Sequence, residues 1–202
     1  MSIDFAPVKK GEIKILDYAR QFTLDDLRRA TNTSIDFMLH LVERSTDEMI
    51  AFIPDDPDAN DPYAPPDLQH VGWSLGHLVA HVTASSEEWA AYSSILARGI
   101  VYPAEPRLRF ETDWEIITTR AQAIQRLEES RRMRLAYLDT WPDRPHLNVL
   151  RQLSPRYVER HGEMNAPACF LFGLQHEMGH QEQFKEVYRQ AREAAQTTAS
   201  AD

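Results

Sequence analysis

The chain has 202 residues, of which 43% are hydrophobic and 26% are charged, a composition typical of one globular domain with its own core. Its 22 Lys and Arg residues against 31 Asp and Glu residues leave a net charge of −9, which argues against nucleic acid and membrane surfaces as partners. The single cysteine permits no internal disulfide, and no stretch approaches the ~20 apolar residues of a membrane span. We therefore expect a cytoplasmic protein with a single domain over residues 1–202.

Proline residues divide the sequence into four long stretches in which apolar residues recur at helical spacing. The first predicted helix opens at Thr23, the second runs from Ser74 to about Arg98, the third from near Asp113 to before Pro142, and the fourth from Asn165 to about Ala195. Four helices of about 25–30 residues have the proportions of a four-helix bundle, so we predict an all-α fold of this kind with long connecting loops.

The segments outside the predicted helices have distinct expected roles. Residues 1–22 are predicted to form an N-terminal arm, and residues 197–202 a frayed tail. The connections Pro54–Gly72 and Pro142–Met164 are long for a simple bundle, and loops of that length commonly form lids or pocket walls.

Histidines carry the clearest chemical signal. His176 and His180 lie one turn apart on the fourth predicted helix, on the face that carries its apolar residues. Two imidazoles on a core face each need a partner, and a divalent metal such as Zn, Ni, Fe or Co binds both at once. The alternative is a pair of structural histidines that form ordinary hydrogen bonds.

The second predicted helix offers a third ligand from another pair, His77 and His81. On a helical wheel its apolar residues point about 75° from His81, and His77 lies roughly 40° further out. The phase therefore favours His81 as the inward ligand and His77 as a residue at the pocket mouth. Glu88 lies two turns beyond His81 and is a candidate for the same site, or a solvated glutamate. The run 131–134, Arg-Arg-Met-Arg, is predicted to be a solvated face.

Residues 176–180 also read His-Glu-Met-Gly-His, the H-E-x-x-H pattern in which a glutamate activates a zinc-bound water. Glu177 would take that role in a peptidase. The longer metzincin pattern fails, because its glycine and third histidine are replaced by Gln183 and Glu186. Gln183 is instead a candidate to orient the imidazole of His180.

These residues together resemble a known family. The stretch 72–81, Gly-Trp-Ser-Leu-Gly-His-Leu-Val-Ala-His, followed by His176-x-x-x-His180-x-x-Gln183, resembles the DinB/YfiT-like superfamily. The resemblance implies a four-helix bundle whose metal is held by one histidine of the second helix and two of the last. The spacing from Trp73 to His81 is similar to that of mycothiol-dependent maleylpyruvate isomerases and bacillithiol transferases. The last stretch is also similar to the N-terminal domain of ergothioneine-type sulfoxide synthases, whose spacing would select His77.

Three functions remain open at this stage. The first is a metal-dependent enzyme that transfers or isomerises through a low-molecular-weight thiol, which we favour because three histidines leave the metal an open position. The others are a metallohydrolase using H-E-x-x-H and a non-catalytic, metal-stabilised binding module. We expect one divalent metal (Zn, Ni or Fe), a small-molecule substrate and no nucleic acid or membrane partner, with a homodimer left open. The predicted site comprises the metal ligands His81, His176 and His180, the cofactor-binding candidate His77, and the catalytic candidates Glu88, Glu177 and Gln183.

Overall fold

The computed structural model describes residues 3–62 and 64–199, and within these residues every regular element is helical. The α-helices are α1 (Ala6–Lys9), α2 (Ile15–Tyr18), α3 (Leu24–Val42), α4 (Asp47–Ala51), α5 (Leu75–Ala97), α6 (Arg120–Asp139), α7 (Pro155–His161), α8 (Ala166–Gly179) and α9 (Gln181–Ala199). Short 3-10 turns occur at Ala19–Gln21 and Trp114–Ile116. The prediction of an all-α fold is confirmed.

The first two long helices begin at the predicted capping residues. The backbone N–H of Asp26 donates to Oγ1 of Thr23 (3.2 Å), and the N–H of Thr23 donates back to the Asp26 carboxylate (2.8 Å), which completes a capping box at the start of α3. Oγ of Ser74 accepts from the N–H of His77 (3.1 Å) at the start of α5. After α5, Gly99 has φ of +84°, a conformation that glycine adopts without a steric penalty.

The third long helix starts later than predicted. Asp113 caps only the 3-10 turn Trp114–Ile116, and α6 begins after Thr119, whose side chain accepts from the N–H of Gln122 (3.3 Å). The chain leaves the helical conformation at Ile117, which is buried and packs against α5. There Gly76 lies so close that an added Cβ would stand 2.1 Å from the carbonyl oxygen of Ile117. This contact with α5 holds the turn apart from α6.

The fourth long helix is interrupted. It starts at the predicted cap, Asn165, but α8 ends at Gly179 and α9 follows after His180. The N–H of His180 bonds to the carbonyl of Glu177, three residues back, in place of the α-helical partner four residues back. Glycine, a poor helix former, directly precedes the break. The prediction of one continuous fourth helix is therefore wrong, because the helix is broken at His180, one of the candidate ligands.

The described residues near the two termini include helical segments. In the N-terminal arm, the described residues form α1 and α2, and Ile3, Phe5 and Ile15 are buried in the core. At the other end, α9 is helical through Ala199, so the frayed tail predicted from residue 197 is wrong for 197–199. Residues 200–202 lie outside the described residues.

The core is organised around α5, which packs against α8 on one side and α6 on the other, while α3 bridges α6 and α8. Gly173 of α8 allows the closest of these approaches. A Cβ at that position would stand 3.0 Å from Cβ of Trp89 and 3.3 Å from Cα of Ser86. None of the described helices combines the length and the apolar character that a membrane crossing requires. The packing brings the centre of α5 next to the C-terminal end of α8.

Candidate metal centre

Three histidines from different parts of the fold converge at this point. His81 comes from α5, His176 from α8, and His180 from the break between α8 and α9. One ring nitrogen from each lies within 4.8 Å of the other two, and the Nε2 atoms of His81 and His176 are 3.3 Å apart. Their ring centroids are separated by 4.9 to 5.2 Å. The structure thus brings together the three residues that the sequence selects as ligands.

The separation of these nitrogens fits a bound metal. Two imidazole ligands of a tetrahedral ion, each about 2.05 Å from the metal, stand about 3.3 Å apart. The observed 3.3 Å between the Nε2 atoms of His81 and His176 equals that value. The donor set of neutral nitrogens also suits Zn, Ni or Fe.

Burial favours the neutral form of two of the clustered histidines, His176 and His180. It lowers the pKa of His176 to about 3, with further lowering by the charges of His180 and His81. Burial likewise lowers the pKa of His180, although its hydrogen bond to Gln183 acts in the opposite direction. A neutral imidazole has a free lone pair, so at neutral pH these rings are ready to bind a metal.

Neighbouring side chains set the direction of two of the three clustered rings. Nδ1 of His180 donates a hydrogen bond to Oε1 of Gln183 (2.8 Å), and the lone pair of Nε2 is then free to bind a metal. Nδ1 of His81 lies 3.4 Å from Oε1 of Glu111, within reach of the same kind of hydrogen bond. For His176, Nδ1 is buried and has no hydrogen-bond partner among the described residues.

Glu111 belongs to a loop that no sequence pattern singled out. This loop, residues 102–112, which we call the strap, crosses the site between α5 and α6. Arg109 forms an ion pair with Glu111, and its Nη2 lies 3.4 Å from Nδ1 of His81. Burial alone would raise the pKa of Glu111. The hydrogen bond from His81 and the charge of Arg109 outweigh this effect and lower the pKa to about 2. The carboxylate is therefore ionised.

The strap is fastened to α5 and to the segment that precedes α7. Arg107 of the strap donates from Nε to the carboxylate of Glu88 (2.8 Å), whose side chain is 1% exposed. Tyr92 donates to Glu88 (3.1 Å) and accepts from the backbone N–H of Leu108 (2.9 Å). Arg151 donates to three strap carbonyls, at residues 102, 103 and 104. Glu88 is therefore a buried anchor of the strap rather than a solvated glutamate.

His77 lies in a different setting from His81. Its imidazole is stacked between two indoles, 4.4 Å from the ring of Trp73 and 4.7 Å from the ring of Trp114. Burial, followed by the charge of His81, lowers its pKa to about 4. The structure places it outside the three-nitrogen cluster and in the wall of an adjacent cavity.

Glu177 lies in the protein interior. Its carboxylate forms an ion pair with Arg134 of α6 (3.0 Å) and accepts from Oγ of Ser86 (3.1 Å). The two side chains of the ion pair are 0% and 1% exposed. The prediction of a solvated arginine face is therefore wrong for Arg134. The glutamate is fully engaged with these partners rather than lining either of the cavities beside the cluster.

Two of the cavities that reach the histidine cluster are lined in part by the strap. The first, of 590 Å³, includes part of the predicted Pro54–Gly72 wall and is lined by Leu68, His77, His81, Glu111 and Trp114 among others. The second, of 410 Å³, includes part of the predicted Pro142–Met164 wall and is lined by Trp89, Arg151, Tyr157, Phe172 and His176 among others. Arg107 and Arg109 line both.

The family of the chain follows from a comparison with known proteins. A family model described as the DinB superfamily matches residues 30–184, about three quarters of the chain, including all three clustered histidines. The chain belongs to the DinB superfamily. Members of this superfamily often bind a metal, in agreement with a histidine triad that can hold an ion. No curated protein and no solved structure matches the chain significantly.

Proposed function

We propose that this protein is a metal-dependent enzyme that transfers or isomerises through a low-molecular-weight thiol. One divalent metal would be held by His81, His176 and His180. The observation that carries the proposal is the convergence of three imidazoles, with no fourth ligand from the described residues, beside two cavities. Structural zinc sites usually have four protein ligands, whereas three ligands leave a position for a reactant.

The fold supports this assignment. We infer that α3, α5, α6 and the interrupted α8–α9 segment are the four helices of a bundle within a single domain. Their pairwise packing, with α5 and α3 each between α6 and α8, fits that architecture. Ligands from α5 and from the last helical segment then face each other in the bundle interior, where helix bundles commonly hold metals.

A divalent metal held by His81, His176 and His180 would supply the Lewis acidity that lowers the pKa of a thiol. The protein supplies orientation and charge around it. Glu111 and Gln183 direct the rings of His81 and His180. Arg109 places a guanidinium nitrogen 3.4 Å from Nδ1 of His81. In the transfer, a sulfur–carbon bond forms at the electrophile, the bond to its leaving group breaks, and the thiol proton passes to solvent.

The structure favours this function over the hydrolase alternative. A zincin-type base must reach a water at the metal, but the carboxylate of Glu177 is already paired with Arg134 and Ser86 in the interior. The other glutamate candidate, Glu88, is bound to Arg107. A substrate-binding sheet edge is also missing from the described residues, all of whose regular elements are helical.

Metal analysis tests the site. Protein purified without chelator should contain close to one metal per chain, and the double variant His176→Ala/His180→Ala should contain none. His81→Ala should lose most of its metal affinity, whereas the matched variant His77→Ala, one turn away on the same helix, should retain it. Full metal retention in the double variant would refute the site, and the reverse result for the two α5 variants would make His77 the ligand.

An activity assay tests the reaction. Metal-loaded protein is supplied with 1-chloro-2,4-dinitrobenzene and either bacillithiol, mycothiol or cysteine, beside a panel of peptides. Metal-dependent conjugation that is lost in His81→Ala supports the proposal. Metal-dependent peptide cleavage that is lost in a folded Glu177→Gln variant would support the hydrolase. If neither reaction occurs and metal removal only lowers the melting temperature, the non-catalytic alternative holds.

A further inference from the structure

The second cavity adjoins the histidine cluster but differs from the first in its lining. It reaches His176, whereas the first cavity reaches His81, and the two share only the strap residues Arg107 and Arg109. A transfer between two molecules needs two approaches to one reacting centre. At 410 Å³, the second cavity falls within the ~300–1,000 Å³ usual for small-molecule sites.

Three aromatic rings form one wall of this cavity. The rings of Trp89 and Phe172 are 4.7 Å apart in an edge-to-face arrangement, and Tyr157 lies 5.9 Å from Phe172 and 6.2 Å from Trp89. They come from α5, α8 and α7, so the packing of three helices holds the wall in place. Such a surface stacks favourably with a flat conjugated ring.

The charged groups of the cavity favour an anion. Three guanidinium groups line it, those of Arg107, Arg109 and Arg151, against two carboxylates, those of Glu88 and Glu105. Arg151 is 6% exposed, and its hydrogen bonds go to backbone carbonyls rather than to a carboxylate. Its Nε is buried without a partner among the described residues. Arg107 is paired with Glu88 and Arg109 with Glu111, so Arg151 is the one guanidinium of this lining without a carboxylate partner among the described residues.

Tyr157 adds a hydrogen-bond donor to this positive lining. Burial raises the pKa of its phenol to about 12, so the hydroxyl keeps its proton. Within residues 3–62 and 64–199, the contacts recorded for this side chain are with rings, and its hydroxyl forms no hydrogen bond. An ionised acceptor such as a carboxylate would form a shorter and stronger hydrogen bond with this hydroxyl than a neutral acceptor would.

We infer that the second cavity binds a planar aromatic carboxylate, with its ring against Trp89, Tyr157 and Phe172 and its carboxylate toward Arg151 and the Tyr157 hydroxyl. This inference depends on the proposed function in one respect: the proposed function makes the bound aromatic acid the acceptor substrate. The thiol then approaches through the first cavity, past His77 and His81. Binding of the aromatic acid itself does not require the metal, because none of these contacts involves it.

The test is calorimetric binding of 2-naphthoate to metal-free and metal-loaded protein, with neutral 2-naphthylmethanol as the probe of charge. We expect the carboxylate to bind about tenfold or more tightly than the alcohol, and to weaken as salt is added. Tyr157→Phe should weaken 2-naphthoate by about tenfold, since a hydrogen bond to a charged group contributes that much. Tyr157→Ala should weaken both probes because it also removes part of the wall.

The matched control is Leu68→Ala in the first cavity, which should bind 2-naphthoate as the unmodified protein does. Circular dichroism and melting curves establish that each variant is folded. No binding of 2-naphthoate, equal binding of the alcohol, or unchanged binding in folded Tyr157→Ala would overturn the inference. Binding that follows the expected pattern in a protein that fails to bind metal would support this cavity and refute the proposed function alone.

Discussion

The buried ion pair between Arg134 and Glu177 allows a prediction with a worked magnitude. In Glu177→Gln the side chain keeps its shape and an acceptor for Ser86, but Arg134 is left as a buried charge without a carboxylate. Two of its guanidinium nitrogens, Nε and Nη2, already lack partners in the described part of the chain. Removing one member of such a pair costs about 3–5 kcal/mol.

This loss is a large share of the ~5–15 kcal/mol that stabilises a typical folded protein. For a chain of this length it corresponds to a fall in melting temperature of about 6–20 °C. Urea denaturation of metal-free protein at pH 7 measures the free energy of unfolding directly. Replacing both members, as Arg134→Met/Glu177→Leu, should recover much of the loss because no uncompensated charge remains.

Glu182→Gln provides the matched control. Glu182 is also ion-paired, with Lys185 on α9, but its side chain is 84% exposed and the substitution should change stability by less than about 1 kcal/mol. The zincin interpretation predicts the opposite for Glu177→Gln, namely normal stability with loss of hydrolysis. A Glu177→Gln variant within about 0.5 kcal/mol of the unmodified protein would refute the structural role described here.

Three further predictions concern the helix contact, the histidines and a cap. Gly76→Ala should destabilise the protein by about 1–3 kcal/mol, measured by urea denaturation, because its Cβ would overlap the carbonyl of Ile117. Metal-free protein should lose stability as the pH falls from about 6.5 toward 4. The pKa values of His77 and His176 are lowered in the folded protein, so the unfolded chain binds more protons in this range. Melting curves of His77→Gln should show a smaller loss of stability over the same pH range than those of the unmodified protein. Thr23→Ala should cost about 1 kcal/mol by removing the cap of α3, and an unchanged unfolding midpoint would contradict it.

Local signals predicted the parts of this fold that depend on local chemistry. Thr23, Ser74 and Asn165 cap helices where the sequence placed them, because side-chain capping involves residues only three apart. The break at His180 could not be read in the same way. It leaves the apolar spacing of α8 and α9 almost unchanged, so periodicity alone continues through it.

The site residues that the sequence did not predict depend on contacts between distant parts of the chain. Arg109 and Glu111 lie in a loop with no periodic pattern, and only the folded chain brings them beside His81, about 30 residues earlier. Arg134 sits in a run of arginines that suggests a solvated surface, and its burial depends on Glu177 from another helix. A charge in the sequence does not reveal whether a distant partner will accompany it into the core.

The two histidines of α5 show how packing separates a proposed ligand from a neighbour of the same type. His77 has both ring faces covered by indoles, and a ring held in this way has little freedom to turn toward the cluster. His81, one turn later, has Nδ1 beside Glu111 and Nε2 beside His176, so both nitrogens already face the partners that a metal ligand needs. The rotation of about 40° between them on the helix places one ring against Trp73 and Trp114 and the other at the meeting point of α5 and α8. Helical phase, rather than the spacing from Trp73, is therefore the physical reason to favour His81.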